Sequence, residues 1–199
     1  MGKKGEETRK AIKEKACTLF ARKGYKNVTM KDICLETGLS RGGLYRHYES
    51  TQQVFLDIIE DFMSAQDNEF SEKMKDGYPA TQILDVILER YRQEMLDRSA
   101  SLSTAIYEFY NEHQSDSKEN MHFKQYVYAV DMWKSFIEYG IQRGEFQNVN
   151  CEEIIDIIVF SYQGVRMFST IMPVEEKTPQ RVIDHIKRVL VIQKEGHNN

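Results

Sequence analysis

The sequence predicts an all-α fold, and three observations carry that expectation. Three prolines and eleven glycines among 199 residues leave long segments without a breaker. Within those segments apolar residues recur three and four apart, the period of a helix with one buried face. The interruptions are of the helix-ending kind, at Gly24, Gly38, Gly77-Tyr78-Pro79 and Gly144. The layout predicts a three-helix N-terminal domain over 1–49 and a larger helical domain over 50–199, and the chain is long enough for a real core.

The first helix spans 6–24, with Ile12, Ala16, Leu19 and Phe20 at helical spacing and Gly24 ending the run. Short helices follow over 29–37 and 40–48. A helix from Ser50 carries Val54, Phe55, Ile58, Ile59 and Phe62 on one face and continues to about Lys75. Residues 80–97 (Ile83, Leu84, Ile87, Leu88) and 100–113 (Ile106, Phe109) form the next two, and 114–120 is a polar loop. The helix over 121–143 runs through Phe123, Val127, Val130, Phe136, Ile137 and Ile141 to Gly144. The 151–172 helix is apolar around much more than one ~100° stripe, so something must cover its far face. Pro173 and Pro179 bracket a loop before the last helix.

Residues 29–48 carry the most chemistry. Thr29 and Asp32 have the spacing of an N-cap and its returning carboxylate. Gly38 sits where a helix needs a left-handed stop, Leu39 plugs the turn, and Ser40 caps a helix that starts at Arg41. That helix carries Arg41, Tyr45, Arg46 and His47, which are donor and stacking residues. Gly42 and Gly43 each weaken it by roughly 1 kcal/mol relative to alanine, so their presence wants a reason. Close approach of backbone to DNA is one. The pattern is that of a helix-turn-helix, with Arg41 placed to reach a guanine edge or a phosphate, and with Thr29 and Ser40 bringing helix N-termini to the phosphates.

The string Gly38-Leu39-Ser40-Arg41-Gly42-Gly43-Leu44-Tyr45-Arg46-His47-Tyr48, with an amphipathic helix before it and a long one after it, resembles the DNA-binding region of TetR-type transcriptional regulators. Cys34 and Thr37 stand where that family often has small alanines, and Glu49, Ser50 and Thr51 where it has a lysine. The resemblance implies that Gly42 and Gly43 let the backbone lie against bases and that Tyr45 and His47 hydrogen-bond phosphates. It also implies double-stranded DNA with a palindromic operator as one partner, a small-molecule effector held in the body as another, and a homodimer.

Charge supports that division of labour. Residues 1–50 hold twelve Lys or Arg against six acids, and the remainder fifteen against twenty-five, for a net of −4. A basic head on an acidic body suits one end meeting phosphates. Cys17, Cys34 and Cys151 lie far apart with no paired spacing, which predicts a reduced, cytoplasmic protein. Neither a signal peptide nor a membrane anchor is indicated. No catalytic motif, metal-ligand spacing or cofactor fingerprint occurs, so the expectation is a non-enzyme without cofactor or metal.

Two sites are expected in the body. Tyr91, Tyr107, Tyr110, Trp133, Phe136, Tyr162 and Arg166 combine apolar area with polar handles, as a small-molecule pocket between helices requires. Ile158, Val165, Val182, Ile183, Ile186 and Leu190, on the last two helices, are the candidate dimer interface. From the residues alone, a helical ligand-binding or interaction protein with a merely structural hairpin remains the alternative to a repressor released by its ligand. Activator polarity is likewise open.

Overall fold

The computed structural model describes residues 3–97, 102–113 and 121–193. Among them are nine helices and no strand: α1 (Lys3–Lys23), α2 (Met30–Thr37), α3 (Arg41–Tyr45), α4 (Thr51–Lys75), α5 (Ala80–Leu96), α6 (Ser103–Glu112), α7 (Met121–Gln142), α8 (Cys151–Ile171) and α9 (Lys177–Leu190). The expected loop over 114–120 lies outside the described residues.

By packing, the chain divides into two units, Met1–Ala65 with Ser99–Ser115, and Gln66–Arg98 with Asp116–Asn199. The first unit is larger than the 1–49 segment read from the motif, for two reasons. The start of α4 gives Val54, Phe55, Ile58 and Ile59 to its core, and α6 adds Ala105 and Phe109. Aromatic edges hold this core together. The Phe20 and Phe55 rings lie 4.8 Å apart, Tyr25 and Phe109 4.9 Å, and Phe55 and Phe109 5.1 Å. The Glu108 carboxylate accepts the Lys26 backbone N–H at 3.1 Å, which ties α6 to the turn after α1.

The second unit is built from α5, α7, α8, α9 and the end of α4. Its centre is the ring cluster of Phe70, Trp133, Phe136 and Phe146. Gly140 makes room for Phe146: a Cβ there would lie 2.2 Å from the ring's Cδ2. The segment after α7 is pinned to the end of α9 by Gln147 N–H to Leu190 O (2.8 Å) and Ile192 N–H to Glu145 O (3.0 Å). Pro79 offers no cap to α5, and Glu145 supplies one by accepting from both the N–H and the hydroxyl of Thr81, at 3.0 and 3.2 Å.

Helix boundaries follow the sequence reading with two exceptions. The α3 helix is five residues long rather than nine, and α9 begins two residues before Pro179. Proline is harmless there because the first-turn N–H groups have no intrahelical acceptor.

Candidate nucleic-acid interface and effector site

The head's reading surface is assembled from two caps and one anchor. Thr29 Oγ1 accepts the Asp32 N–H at 3.2 Å, and the Asp32 carboxylate accepts the Thr29 N–H at 2.9 Å, a complete capping box. Lys23 Nζ reaches the same carboxylate at 2.8 Å, and this bond together with those from Thr29 holds Asp32 well below the ordinary carboxylate range. Gly38 closes α2 at φ +72°, its N–H bonded to Cys34 O at 2.9 Å. Ser40 then accepts the Gly43 N–H at 3.1 Å and opens α3.

One fully buried side chain, Leu44, fixes α3 against the core and leaves Arg41, Gly42, Tyr45 and Arg46 exposed. The Arg41 guanidinium lies 5.5 Å from the Tyr45 ring centroid. A Cβ built on Gly42 meets nothing within 4 Å, so the protein's own packing does not demand glycine at that position.

The helix stops early because Tyr48 turns inward. Its hydroxyl donates to Asp57 at 2.5 Å and accepts from Arg9 Nε at 3.1 Å, while Arg9 also pairs with Asp57 at 2.8 Å. Burial and the Asp57 carboxylate push the Tyr48 phenol far above its usual value. Lys13 joins the network through Asp57 at 3.7 Å and through Asp61. This Arg9–Tyr48–Asp57–Lys13 cluster clamps α1 and α4 to the end of the recognition segment. No sequence signal exposed it, because its members are separated by up to 48 residues.

In the second unit the Tyr91 and Tyr162 rings stack at 4.1 Å with an interplanar angle of 21°. The Tyr162 hydroxyl donates to Glu94, and burial raises its phenol well above the ordinary range, so it acts as a neutral donor. Arg166 lies over the outer part of this stack, its guanidinium carbon 4.9 Å from the Tyr162 centroid. A separate open groove of about 510 Å³ runs between the end of α8 and the start of α9, bordered by Val165, Phe168, Met172, Pro173 and Arg181.

Comparison with known proteins decides the family. Residues 12–58 match the family described as bacterial regulatory proteins, tetR family, and residues 82–188 match the tetracyclin repressor-like C-terminal domain. This chain belongs to the TetR family. It is 29% identical over 139 residues to the HTH-type transcriptional regulator YfiR of Bacillus subtilis, spanning 69% of this chain and 67% of that protein. It is 25% identical over 154 residues to the HTH-type transcriptional repressor KstR2 of Rhodococcus jostii, spanning 74% and 71%. A TetR transcriptional regulator of Chloroflexus aurantiacus shares the fold at a TM-score of 0.71, with 23% identity, 96% of this chain and all of that one aligned. As a TetR-family transcriptional regulator, the chain carries its helix-turn-helix in α2 and α3.

Within that TetR frame the expected site residues separate into those the structure brings together and those it does not. Thr29, Ser40, Arg41, Gly42, Gly43, Tyr45, Arg46 and His47 all lie on or beside α2 and α3, with Thr29 and Ser40 engaged as caps. The seven expected ligand residues divide between the two units. Trp133 and Phe136 are fully buried within the ring cluster, while on α6 Tyr110 packs against the first unit's core and Tyr107 is exposed. Burial raises the Tyr110 phenol to about 12. Tyr91 stacks on Tyr162 and meets Trp133 edge-on at 6.1 Å, so these three rings, with Arg166 on Tyr162, are contiguous.

The residues expected at a dimer interface separate by burial. Ile158, Ile183, Ile186 and Leu190 are buried in the unit's own core, because α8 and α9 pack that stripe against α5 and each other. Val165 and Val182 are half-buried at its edge. The uncovered apolar side chains of α8 are Ile157 (39% exposed), Phe160 (62%), Phe168 (54%) and Ile171 (74%), which fall on one face with Gly164 between the two phenylalanines. Hydropathy averaged around the helix could not say which of its faces was which. This same two-sided apolarity makes α8 the one helix among the described residues long and apolar enough to cross a membrane by composition.

Proposed function

We propose that this TetR-family regulator is a dimeric repressor that binds a palindromic operator through α3 and is released by a small hydrophobic or amphipathic ligand held in the second unit. The observation that carries the reading is the outer face of α3: Arg41, Tyr45 and Arg46 exposed around Gly42, whose missing side chain leaves open space, on a head with an excess of basic residues. Arg41 is assigned to a base edge, with Tyr45, Arg46 and His47 on phosphates. Two such helices related by a two-fold would meet half-sites ~34–36 Å apart, or a multiple of that.

The exposed Phe160, Phe168 and Ile171 support pairing through α8, and Val165 and Val182 would line the edge of that interface. The α4 helix supplies residues to both units and is the assigned lever. Ligand would favour a conformer with wrongly spaced heads, so ligand and operator affinities oppose each other reciprocally. The assigned compartment is the cytoplasm.

The test is Arg41→Ala, with Tyr45→Phe beside it, measured on a cognate and a random duplex. Arg41→Ala should lose about 1–3 kcal/mol on the cognate site alone. Tyr45→Phe should weaken both duplexes alike. Equal loss on both duplexes for Arg41→Ala would reassign that residue to a phosphate. Absence of any preference for one duplex in the unaltered protein would favour the binding-module alternative.

A further inference from the structure

Arg166 is out of place for a surface arginine. It is half-buried on α8, its Nε is shut off from solvent, and no hydrogen-bond acceptor meets that atom. No ion pair of the second unit includes it among the described residues. Its guanidinium lies over the face of Tyr162, at 4.9 Å from the ring centroid. A cation–π contact recovers less than a guanidinium N–H loses by leaving water without an acceptor, so the arrangement is electrostatically incomplete. The nearby carboxylate of the cluster, Glu94, is already engaged: it accepts the Tyr162 hydroxyl and lies 3.9 Å from Arg90 Nε. Arg90 in turn lies 5.4 Å from the Tyr91 centroid, so the stacked tyrosines carry a guanidinium at each end.

Building on the proposed effector site, we propose that the effector is an apolar organic monocarboxylate whose carboxylate pairs with Arg166. A single planar fork matches a carboxylate in two parallel N–H···O bonds, and it would meet the acceptor that Nε lacks. The Tyr162 face supplies apolar area beside that charge, and Met167 on the same helix is half-buried and adaptable. A cationic ligand would meet Arg166 and Arg90 with like charge. A neutral hydroxyl or carbonyl could accept from Nε but would give neither the second parallel bond nor the opposite charge.

The test uses three probes of one chain length on the full-length protein by titration calorimetry: octanoate, octan-1-ol and octyltrimethylammonium. Octanoate should bind at least roughly 10-fold more tightly than either of the others. Arg166→Gln should lose roughly 10- to 100-fold for octanoate while leaving octan-1-ol unchanged. Arg166→Lys, which keeps the charge without the fork, should fall between. Equal binding of the three probes, octanoate affinity unchanged in Arg166→Gln, or no binding of any probe would each overturn the proposal. Should Arg166→Gln fail to fold, the comparison of probes on the unaltered protein decides alone. Operator affinity measured in parallel separates the two readings. Octanoate bound through Arg166 without change at the operator would support this site and overturn release by ligand.

Discussion

Gly42→Ala separates what the fold needs from what DNA binding needs. A methyl group at Gly42 meets nothing within 4 Å, and the position does not have a positive φ, so the substitution introduces neither clash nor backbone strain. Alanine is favoured over glycine inside a helix by about 0.8–1 kcal/mol, and α3 is short, so the variant should be as stable as the parent or more stable by up to that amount. For a chain of this size that is a rise of at most about 2–4 °C in melting temperature. Against DNA the sign reverses. If the backbone of α3 lies against base edges, the added methyl occupies that gap and should weaken operator binding by about tenfold or more, near 1.4 kcal/mol. The assay is a thermal melt paired with fluorescence anisotropy on an operator duplex. Operator affinity unchanged within about twofold would refute the close-approach argument. A lowered melting temperature would refute the reading of Gly42 as free of its own fold.

Gly140→Ala should behave in the opposite way, since its methyl would drive into the Phe146 ring; overpacking of this kind costs about 1–3 kcal/mol, read as a lower denaturation midpoint. Phe168→Asp places a charge on the uncovered face of α8 and should shift the protein to monomer in sedimentation while preserving its helical content; a persistent dimer would move the interface off that face. Ile186→Asp cannot serve the same purpose, because Ile186 is buried in the subunit's own core and the variant should unfold the second unit. Burial alone would raise the Asp57 pKa, but bonds from Tyr48 and Arg9 outweigh it and the folded value lies below the unfolded one. Its contribution to stability is therefore present above the unfolded value near ~3.9 and is lost as pH falls through the folded value. Asp57→Asn should lower the melting temperature at pH 7 and narrow the gap to the parent as pH falls below about 4; a gap that does not change with pH would remove Asp57's charge from the clamp.

The head was more legible than the body. Its signals are local: Thr29 and Asp32 lie three apart, Ser40 and Gly43 likewise, and Gly38 needed only its neighbours to be read as a left-handed stop. What closes the head is not local. Tyr48 is met across the fold by Asp57 and Arg9, and Phe109 joins the head's aromatic cluster from half the chain away. In the body, periodicity identified α8 and α9 but not which chain covers which face. Ile158 and Phe160 are two residues apart in an unbroken apolar run, yet one is in the core and the other is open. Composition likewise grouped Trp133 with Tyr110 as pocket residues, and packing separated them: Trp133 lies among the rings of the second unit, while Tyr110 packs with the first.

The central claim is sequence-specific DNA binding through α3, and its most direct test lets the protein choose its own site. A duplex selected by the protein from a randomised pool should be palindromic, and anisotropy titrations against a scrambled duplex of equal composition, at about 150 mM salt, measure the preference. The account predicts that the selected duplex binds roughly 10³-fold or more tightly than the scrambled one. It also predicts that Arg41→Ala removes a large part of that ratio. Equal affinity for both duplexes, falling with salt at the same slope, would contradict it.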